Sequence, residues 1–390
     1  MRIAFLTTMA TAPWGGSEAL WASTALRALD KGHEVFASVY EWPTIPGPVT
    51  ELKNRGAQVD FRKVGRRWRR SGILTRLFYP FRALHEFRPD VVLINQGGTY
   101  DISRSGEFTR LRRVLVEQKR WPYALLCHCE QSAPRHPRTV RRAQQAFKAA
   151  QIVGMLSTNL RARSEQHLGI ALPNTRLFQN PLNISTAGLL PWPQGTTLRF
   201  AFVGRMDRVK GLDLAFEVLT KHAWRERDWI LDVYGDGELK AELMQQAQTA
   251  GLAQRIRFQG FENDIDSVWR NHHALLLPSR AEGVPNSMLE AMLRGRPVIV
   301  SNVGGISEWM RDGQTGYLLS QPHANELAAT MERVWNERTY LERIGRGAYE
   351  HTLAKRDPDP TLTLLQWLEE IASASAVNAR TALSAQIVSY

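Results

Sequence analysis

Two glutamates with seven residues between them, Glu282 and Glu290, frame the stretch of this chain that carries the most chemistry, PSRAEGVPNSMLEAMLRGRPVIVSNVGG. Between them Pro285, Asn286 and Ser287 read as a turn that caps a helix running to about Arg294, stopped by Gly295 and Pro297. The backbone N–H groups at that helix start, at Asn286, Ser287 and Met288, suit a phosphate, with roughly 0.3 to 1 kcal/mol from the helix dipole and roughly 1.5 to 3 kcal/mol for each charge-assisted hydrogen bond. Carboxylates beside an anion site must do something other than hold the anion. The economical assignment is that each accepts hydrogen bonds from hydroxyls, Glu282 from a sugar and Glu290 from a ribose. The plainer reading makes Glu282 a loop charge and Glu290 part of a solvated helix face. A phosphate grip flanked by hydroxyl acceptors describes a nucleotide-sugar.

A second cluster follows an apolar run ending at Val203. In GRMDRVKG, residues 204–211, Gly204 allows a tight turn and Arg205 and Lys210 place two cations where a strand end meets a helix start. Charge grows on a diphosphate as its glycosidic bond breaks, so fixed cations there favour the transition state over the ground state. Solvated loop charge is the alternative for both residues. Near the N-terminus a loop through Gly15 and Gly16 follows the first apolar run, and absent side chains let backbone approach a phosphate or an acceptor. Glu18 next to it complements the dipole of the following helix. His128 ends another apolar run, where a structural histidine and an active-site histidine are both open readings.

The elements that must position these residues are legible as alternating short apolar and amphipathic runs, the pattern of parallel strands covered by helices. Strands are expected at 3–7, 34–39, 59–64, 90–95, 123–127 and 152–156, and again at 198–203, 229–234, 256–259, 274–277 and 297–301. Ser17 is the expected cap of a helix from Glu18 to Lys31. The Pro- and Gly-bearing stretch 183–197 reads as a linker. The fold class is therefore α/β with two doubly wound, Rossmann-like domains, 1–185 and 196–358. In such sheets ligands bind outside the carboxyl ends of the strands, so the loops after Thr7, Val203 and Leu277 are expected to face one cleft.

The segment 278–305, the run RPVIVSNVGGISEWMRDGQTGYLL that overlaps and follows it, and the Gly-Arg-x4-Lys-Gly pattern of 204–211 together resemble family four of the glycosyltransferases. The resemblance implies the two-domain GT-B fold, with a C-terminal helix, Thr361 to Ala372 within 360–390, returning to the first domain, and a loose tail after it. It implies that Glu282 faces the donor sugar, Glu290 the ribose, and Arg205 and Lys210 the diphosphate. The glycine pair Gly15–Gly16 matches the family's glycine-rich turn, and His128 matches a histidine that contacts the donor sugar and the reacting groups. Here the local sequence is His-Cys-Glu, where the common form has Asp or Gly after the histidine. The family retains anomeric configuration, which implies a front-face displacement with no side-chain nucleophile. Cations and a helix N-terminus would replace a metal. The implied function is a retaining, metal-independent glycosyltransferase. It would use a UDP- or GDP-sugar and no cofactor, and would act on a glycan or lipid-linked glycan.

Composition is consistent with this. The 390 residues are 43 % apolar and 23 % charged, as in globular proteins of two domains. No apolar run reaches the roughly 18 residues of a membrane span, and MRIAFLTT is too short in its apolar part for a signal peptide, so a cytoplasmic location is expected. Cys127 and Cys129, the two cysteines, flank His128 and cannot form a disulfide framework. A zinc site wants four ligands, so buried strand cysteines are the simpler reading and no metal is expected. The net charge of +12 is concentrated, with nine Lys or Arg against one acid in 62–88, interleaved with aromatic residues. That window can lie on an anionic membrane surface, making the protein peripheral, or pack its apolar side into its own domain with solvated arginines. No nucleic-acid motif accompanies the charge, so nucleic acid is not an expected partner, and a salt-collapsing interaction would be its signature. The alternative from another class is a noncatalytic nucleotide-sugar sensor or partner subunit.

Overall fold

The computed structural model describes residues 1–10, 13–63, 81–103, 108–129, 136–184 and 188–388, with side chains to 377. The chain divides into two compact units, Met1–Pro181 with Asp357–Tyr390, and Leu182–Arg356.

The first unit is built on a seven-stranded parallel sheet. Its strands are β1 (Arg2–Thr7), β2 (Glu34–Glu41), β3 (Gln58–Lys63), β4 (Val91–Gly98), β5 (Tyr123–Cys129), β6 (Ile152–Met155) and β7 (Thr175–Leu177), in the order β3-β2-β1-β4-β5-β6-β7. All eight residues of β4 are buried, as expected of a central parallel strand covered on both faces. The second unit has six parallel strands, β8 (Leu198–Val203), β9 (Trp229–Tyr234), β10 (Ile256–Gly260), β11 (Ala274–Leu277), β12 (Val298–Ser301) and β13 (Gly316–Leu319), in the order β10-β9-β8-β11-β12-β13. Each sheet reverses its winding once, between β1 and β4 in the first and between β8 and β11 in the second. Ligands of doubly wound sheets bind at that reversal, outside the carboxyl ends of the strands. The segments that leave β1, β8 and β11 are therefore the ones that matter.

The C-terminal helix Pro360–Val388 belongs to the first unit, burying Leu364, Leu365, Leu368 and Ile371. Arg27 binds Asp359 at 2.7 Å, and Arg176 grips both carboxylate oxygens of Glu370 at 2.6 and 2.7 Å. The helix does not stop near Ala372 in a loose tail, because the following Ala-rich sequence is a good helix former and holds no Gly or Pro. The stretch read as a linker, 183–197, is carried by the second unit. The Arg296 guanidinium, 1 % exposed as a residue, donates to Trp269 O at 2.7 Å and to Pro191 O at 2.6 Å, fastening the stretch to the sheet.

Of the basic window 62–88, residues 64–80 lie outside the described residues. Its two ends pack inward. Arg62 is 4 % exposed, lies 4.3 Å from the Tyr40 ring centroid and donates to the carbonyls of Thr7 and Ser38, while Phe81 and Leu84 are fully buried. Among the described residues no helix is long and apolar enough to cross a membrane.

Candidate nucleotide-sugar site

In the second unit the chain leaves β8 at Gly204 and reaches a single 3-10 turn, Arg208–Lys210, which Asp207 begins. Asp207 Oδ1 accepts from the Lys210 amide at 3.0 Å, and its Oδ2 holds Arg205 Nη2 at 3.0 Å. Gly211 ends the turn at φ 73°, and a Cβ there would fall 2.0 Å from the Pro278 carbonyl oxygen. The loop after β8 thus lies directly on the loop after β11. The Arg280 amide donates to Val209 O at 2.7 Å, and the Arg280 guanidinium binds both carboxylate oxygens of Asp213 at 2.7 and 2.8 Å. Such a bidentate clamp fixes orientation as well as distance.

This stitching brings Lys210 and Glu282 together. Lys210 Nζ is 2.6 Å from Glu282 Oε1, which also accepts from Ser279 Oγ at 2.8 Å. The Glu282 side chain is 8 % exposed and that of Lys210 20 %, whereas Arg205 is 63 % exposed. An ammonium has three donors, so Lys210 can stay paired with Glu282 and still give hydrogen bonds to an arriving anion. Arg205, paired through its guanidinium with Asp207, is nonetheless exposed as a surface cation.

Four residues beyond Glu282 the helix Asn286–Leu293 begins. Pro285 is its N-cap, and Asn286 and Ser287 are already helical, so no side-chain cap covers the first amides as the Pro-Asn-Ser reading expected. Glu290 does not lie on the solvated helix face of the plainer reading. It is 2 % exposed, because Met288, Leu289, Ala291, Met292 and Leu293 are all buried and the helix has no wet face there. Its Oε1 accepts from the Asn183 amide at 3.0 Å, and burial raises its pKa against the opposing pull of that bond and of Arg294. Its second carboxyl oxygen has no hydrogen bond among the described residues. Gly204 places no demand on its own backbone: the nearest atom to an added Cβ is 3.8 Å away. The demand falls on Gly235, at φ 125°, whose Cβ would come 2.1 Å from Gly204 O.

In the first unit Gly15 is the N-cap of the helix Gly16–Asp30, which therefore starts one residue before the expected Ser17 cap. Its φ of −170° is extended backbone, and nothing lies within 4 Å of an added Cβ. A dipole partner at the first turn would face solvent, but Glu18 turns inward. It shares the stripe 18, 21, 25, 28 with Trp21, Ala25 and Ala28, the spacing of one helical face packed on the sheet. There Glu18 Oε1 accepts from Thr7 Oγ1 at 2.9 Å and from Asn95 Nδ2 at 3.2 Å, and its Oε2 accepts from Trp21 Nε1. Asn95 Oδ1 lies 2.7 Å from His128 Nε2. Thr7, Asn95 and His128 stand near the carboxyl ends of the adjacent strands β1, β4 and β5, with Thr7 and Asn95 in direct register. Burial lifts Glu18 to a pKa of about 7, and burial pushes His128 down to about 3.

Residues 193–351 match the family model described as glycosyl transferases group 1. The second unit carries a group 1 glycosyltransferase domain. The chain is 34 % identical over 138 residues to the 2-deoxystreptamine glucosyltransferase of Streptomyces kanamyceticus, covering 35 % of this chain and 36 % of that one. It is 31 % identical over 143 residues to the UDP-Gal:alpha-D-GlcNAc-diphosphoundecaprenol alpha-1,3-galactosyltransferase of Escherichia coli, covering 36 % and 37 %. The chain thus spans well under half the length of these curated relatives. Over nearly all of the chain the fold is similar to that of Anabaena HepE, solved in complex with UDP. The TM-score is 0.72 at 19 % identity, with 96 % of this chain and 100 % of that one covered. The architecture of this chain is accordingly GT-B.

Asp207, Ser279 and Arg280, which build the group 1 domain's loops, were given no role from the sequence, whereas Gly211 closes the Gly-Arg-x4-Lys-Gly pattern and Gly304 belongs to the Gly-Gly pair after β12. Gly304 sits at φ 59°, with an added Cβ 2.0 Å from Glu282 O and 2.7 Å from Gly283 O, and Gly305 N donates to Gly283 O at 2.7 Å. The turn after β12 therefore backs the Glu282 loop. Gly304→Ala is expected to lower stability by roughly 2 to 5 kcal/mol, from left-handed strain and overpacking together, and Gly15→Ala by less than about 0.5 kcal/mol. Urea denaturation of the two variants checks both.

Proposed function

We propose that this chain is a retaining, metal-independent glycosyltransferase that moves a sugar from a nucleotide-sugar, most simply a UDP-sugar, to a glycan or lipid-linked acceptor. The observation that carries the reading is the Lys210–Glu282 pair, held by two interlocked loops at the sheet reversal and followed by a helix with no side-chain cap. The UDP in HepE and the diphosphate-lipid acceptor of the Escherichia coli relative support the donor and acceptor classes. The lipid in that relative's acceptor and the charge of 62–88 support action at a membrane surface, in this reading the cytoplasmic one.

In this reading Arg205, Lys210 and the first amides of the helix, at Asn286, Ser287 and Met288, hold the diphosphate, with the Gly204 turn beneath it. Glu282 and the open oxygen of Glu290 accept hydroxyls of sugar and ribose. Gly15 and Gly16 leave room for ligand at the first helix start, and His128 meets the substrate through its imidazole. The acceptor oxygen bonds to the anomeric carbon on the face from which the diphosphate departs. The bond to the phosphate oxygen breaks, and that oxygen takes the acceptor proton. Fixed cations are most useful at that moment, when charge on the leaving group is greatest. The test is turnover of UDP-sugars with candidate acceptors, with and without a chelator, and the anomeric configuration of the product by proton NMR. Retained configuration and chelator-insensitive turnover are expected. Inversion or loss of activity with chelator contradicts the mechanism, and tight UDP-sugar binding without turnover on any acceptor favours a sensor.

A further inference from the structure

The hydrogen bonds around Glu18 leave little freedom in who donates to whom. The Trp21 indole N–H can only donate, and an ionised carboxylate can only accept, so Glu18 forces the Asn95 amide to turn its NH2 toward it. Asn95 Oδ1 is thereby presented to His128, whose Nε2 must carry the proton. Burial keeps the ring neutral, so its other nitrogen, Nδ1, is a bare acceptor. That atom is buried and has no partner among the described residues. Should Glu18 be protonated, the Thr7 hydroxyl can accept its proton and the Asn95 amide need not turn.

We propose that Glu18 and Asn95 are positioning residues that lock His128 in the Nε2–H tautomer, so that Nδ1 accepts a hydrogen bond from a substrate hydroxyl. This rests on the reading that His128 meets the substrate, and it adds what sets the imidazole's polarity. A buried acceptor left unpaired is costly and discriminates for ligands that carry a donor at that point. The specificity implied is for a hydroxyl over a deoxy or methoxy group.

The donor logic makes a prediction that a merely structural role does not. In Glu18→Gln the Trp21 N–H still needs the Gln oxygen, which turns the Gln NH2 toward Thr7 and Asn95. Asn95 must then flip, present its NH2 to His128 Nε2 and drive the proton to Nδ1. In the double variant Glu18→Gln/Asn95→Asp the acid and amide exchange places. The Gln NH2 donates to the new carboxylate on β4, which also accepts from His128 Nε2–H, and the original tautomer returns.

The experiment is 15N NMR of histidine-labelled protein without ligand at about pH 8.5, where Glu18 is ionised, alongside kcat and KM for each variant at the same pH. Expected are Nε2–H in the natural protein, Nδ1–H in E18Q with kcat lower by roughly tenfold to a hundredfold, as for lost partners of ligating histidines, and recovery of both in the double variant. Nδ1–H in the natural protein overturns the proposal with no variant needed, and an unchanged tautomer in E18Q overturns it too. A flipped tautomer with unchanged turnover removes Nδ1 from substrate contact while leaving the diphosphate site standing. A protein with the expected tautomers but no affinity for UDP would instead sink the proposed function.

Discussion

Lys210→Ala should lower kcat by roughly a hundredfold to a thousandfold, the cost of removing one fixed charge aimed at a developing anion. UDP affinity should fall by roughly tenfold to a hundredfold, the worth of one charge-assisted hydrogen bond. The variant also leaves Glu282 without its cation at 2.6 Å, in a side chain 8 % exposed. Removing one member of a buried pair strands the other, so part of the loss comes from a displaced Glu282 and not from the missing contact to substrate. Lys210→Ala/Glu282→Gln separates the two. If leaving-group stabilisation dominates, the double variant stays as slow as Lys210→Ala alone. If displacement of Glu282 dominates, relieving its charge recovers activity. Steady-state kinetics of the natural protein and the two variants against one UDP-sugar decide it.

The second large effect is on stability and has a definite sign in pH. Desolvation is the leading cause that moves Glu18 from its ordinary 4.5 to about 7, opposed by bonds from Trp21, Thr7 and Asn95 and by the charge of Arg62. The folded protein therefore holds this proton more tightly than the unfolded chain. Its contribution to stability is fully present below about pH 4.5 and is lost as pH rises through about 7. The separation corresponds to roughly 3 kcal/mol. Groups outside the Glu18 network titrate in the same window, His273 among them, pushed down by burial. They cancel when the natural protein is compared with Glu18→Gln, which cannot titrate at that position. The stability of the natural protein relative to Glu18→Gln should thus fall by roughly 3 kcal/mol between about pH 4.5 and about pH 8 and level off above. A difference that is flat in pH would mean that Glu18 is ionised at its ordinary pKa.

How much of this was legible in the chain depended on whether a local pattern carried it. β8, β9 and β11 coincide with their apolar runs, since central parallel strands are buried on both faces and stay mostly apolar, broken in β8 by Arg199 and in β9 by Asp232. β7 has three residues with Arg176 at its centre, and β13 has four beginning with a glycine, so neither offers a periodic signal and both were missed. Of the site, the residues Arg205, Lys210, Glu282 and Glu290 could be named from their motifs. What each is bonded to could not, because the Lys210–Glu282 pair spans 72 residues and depends on Gly211 and Gly304 allowing loops to touch. Glu18 shows the difference most clearly. Position in its helix makes it a dipole partner in water, whereas the stripe it shares with Trp21, Ala25 and Ala28 assigns it to the interior.

The most direct measurement is a crystal structure with UDP bound. The account predicts the diphosphate within hydrogen-bond distance of Lys210 Nζ and of the first amides of the helix Asn286–Leu293, with the ribose at the open oxygen of Glu290. UDP held elsewhere in the second unit, or no UDP at concentrations that saturate binding in solution, contradicts it.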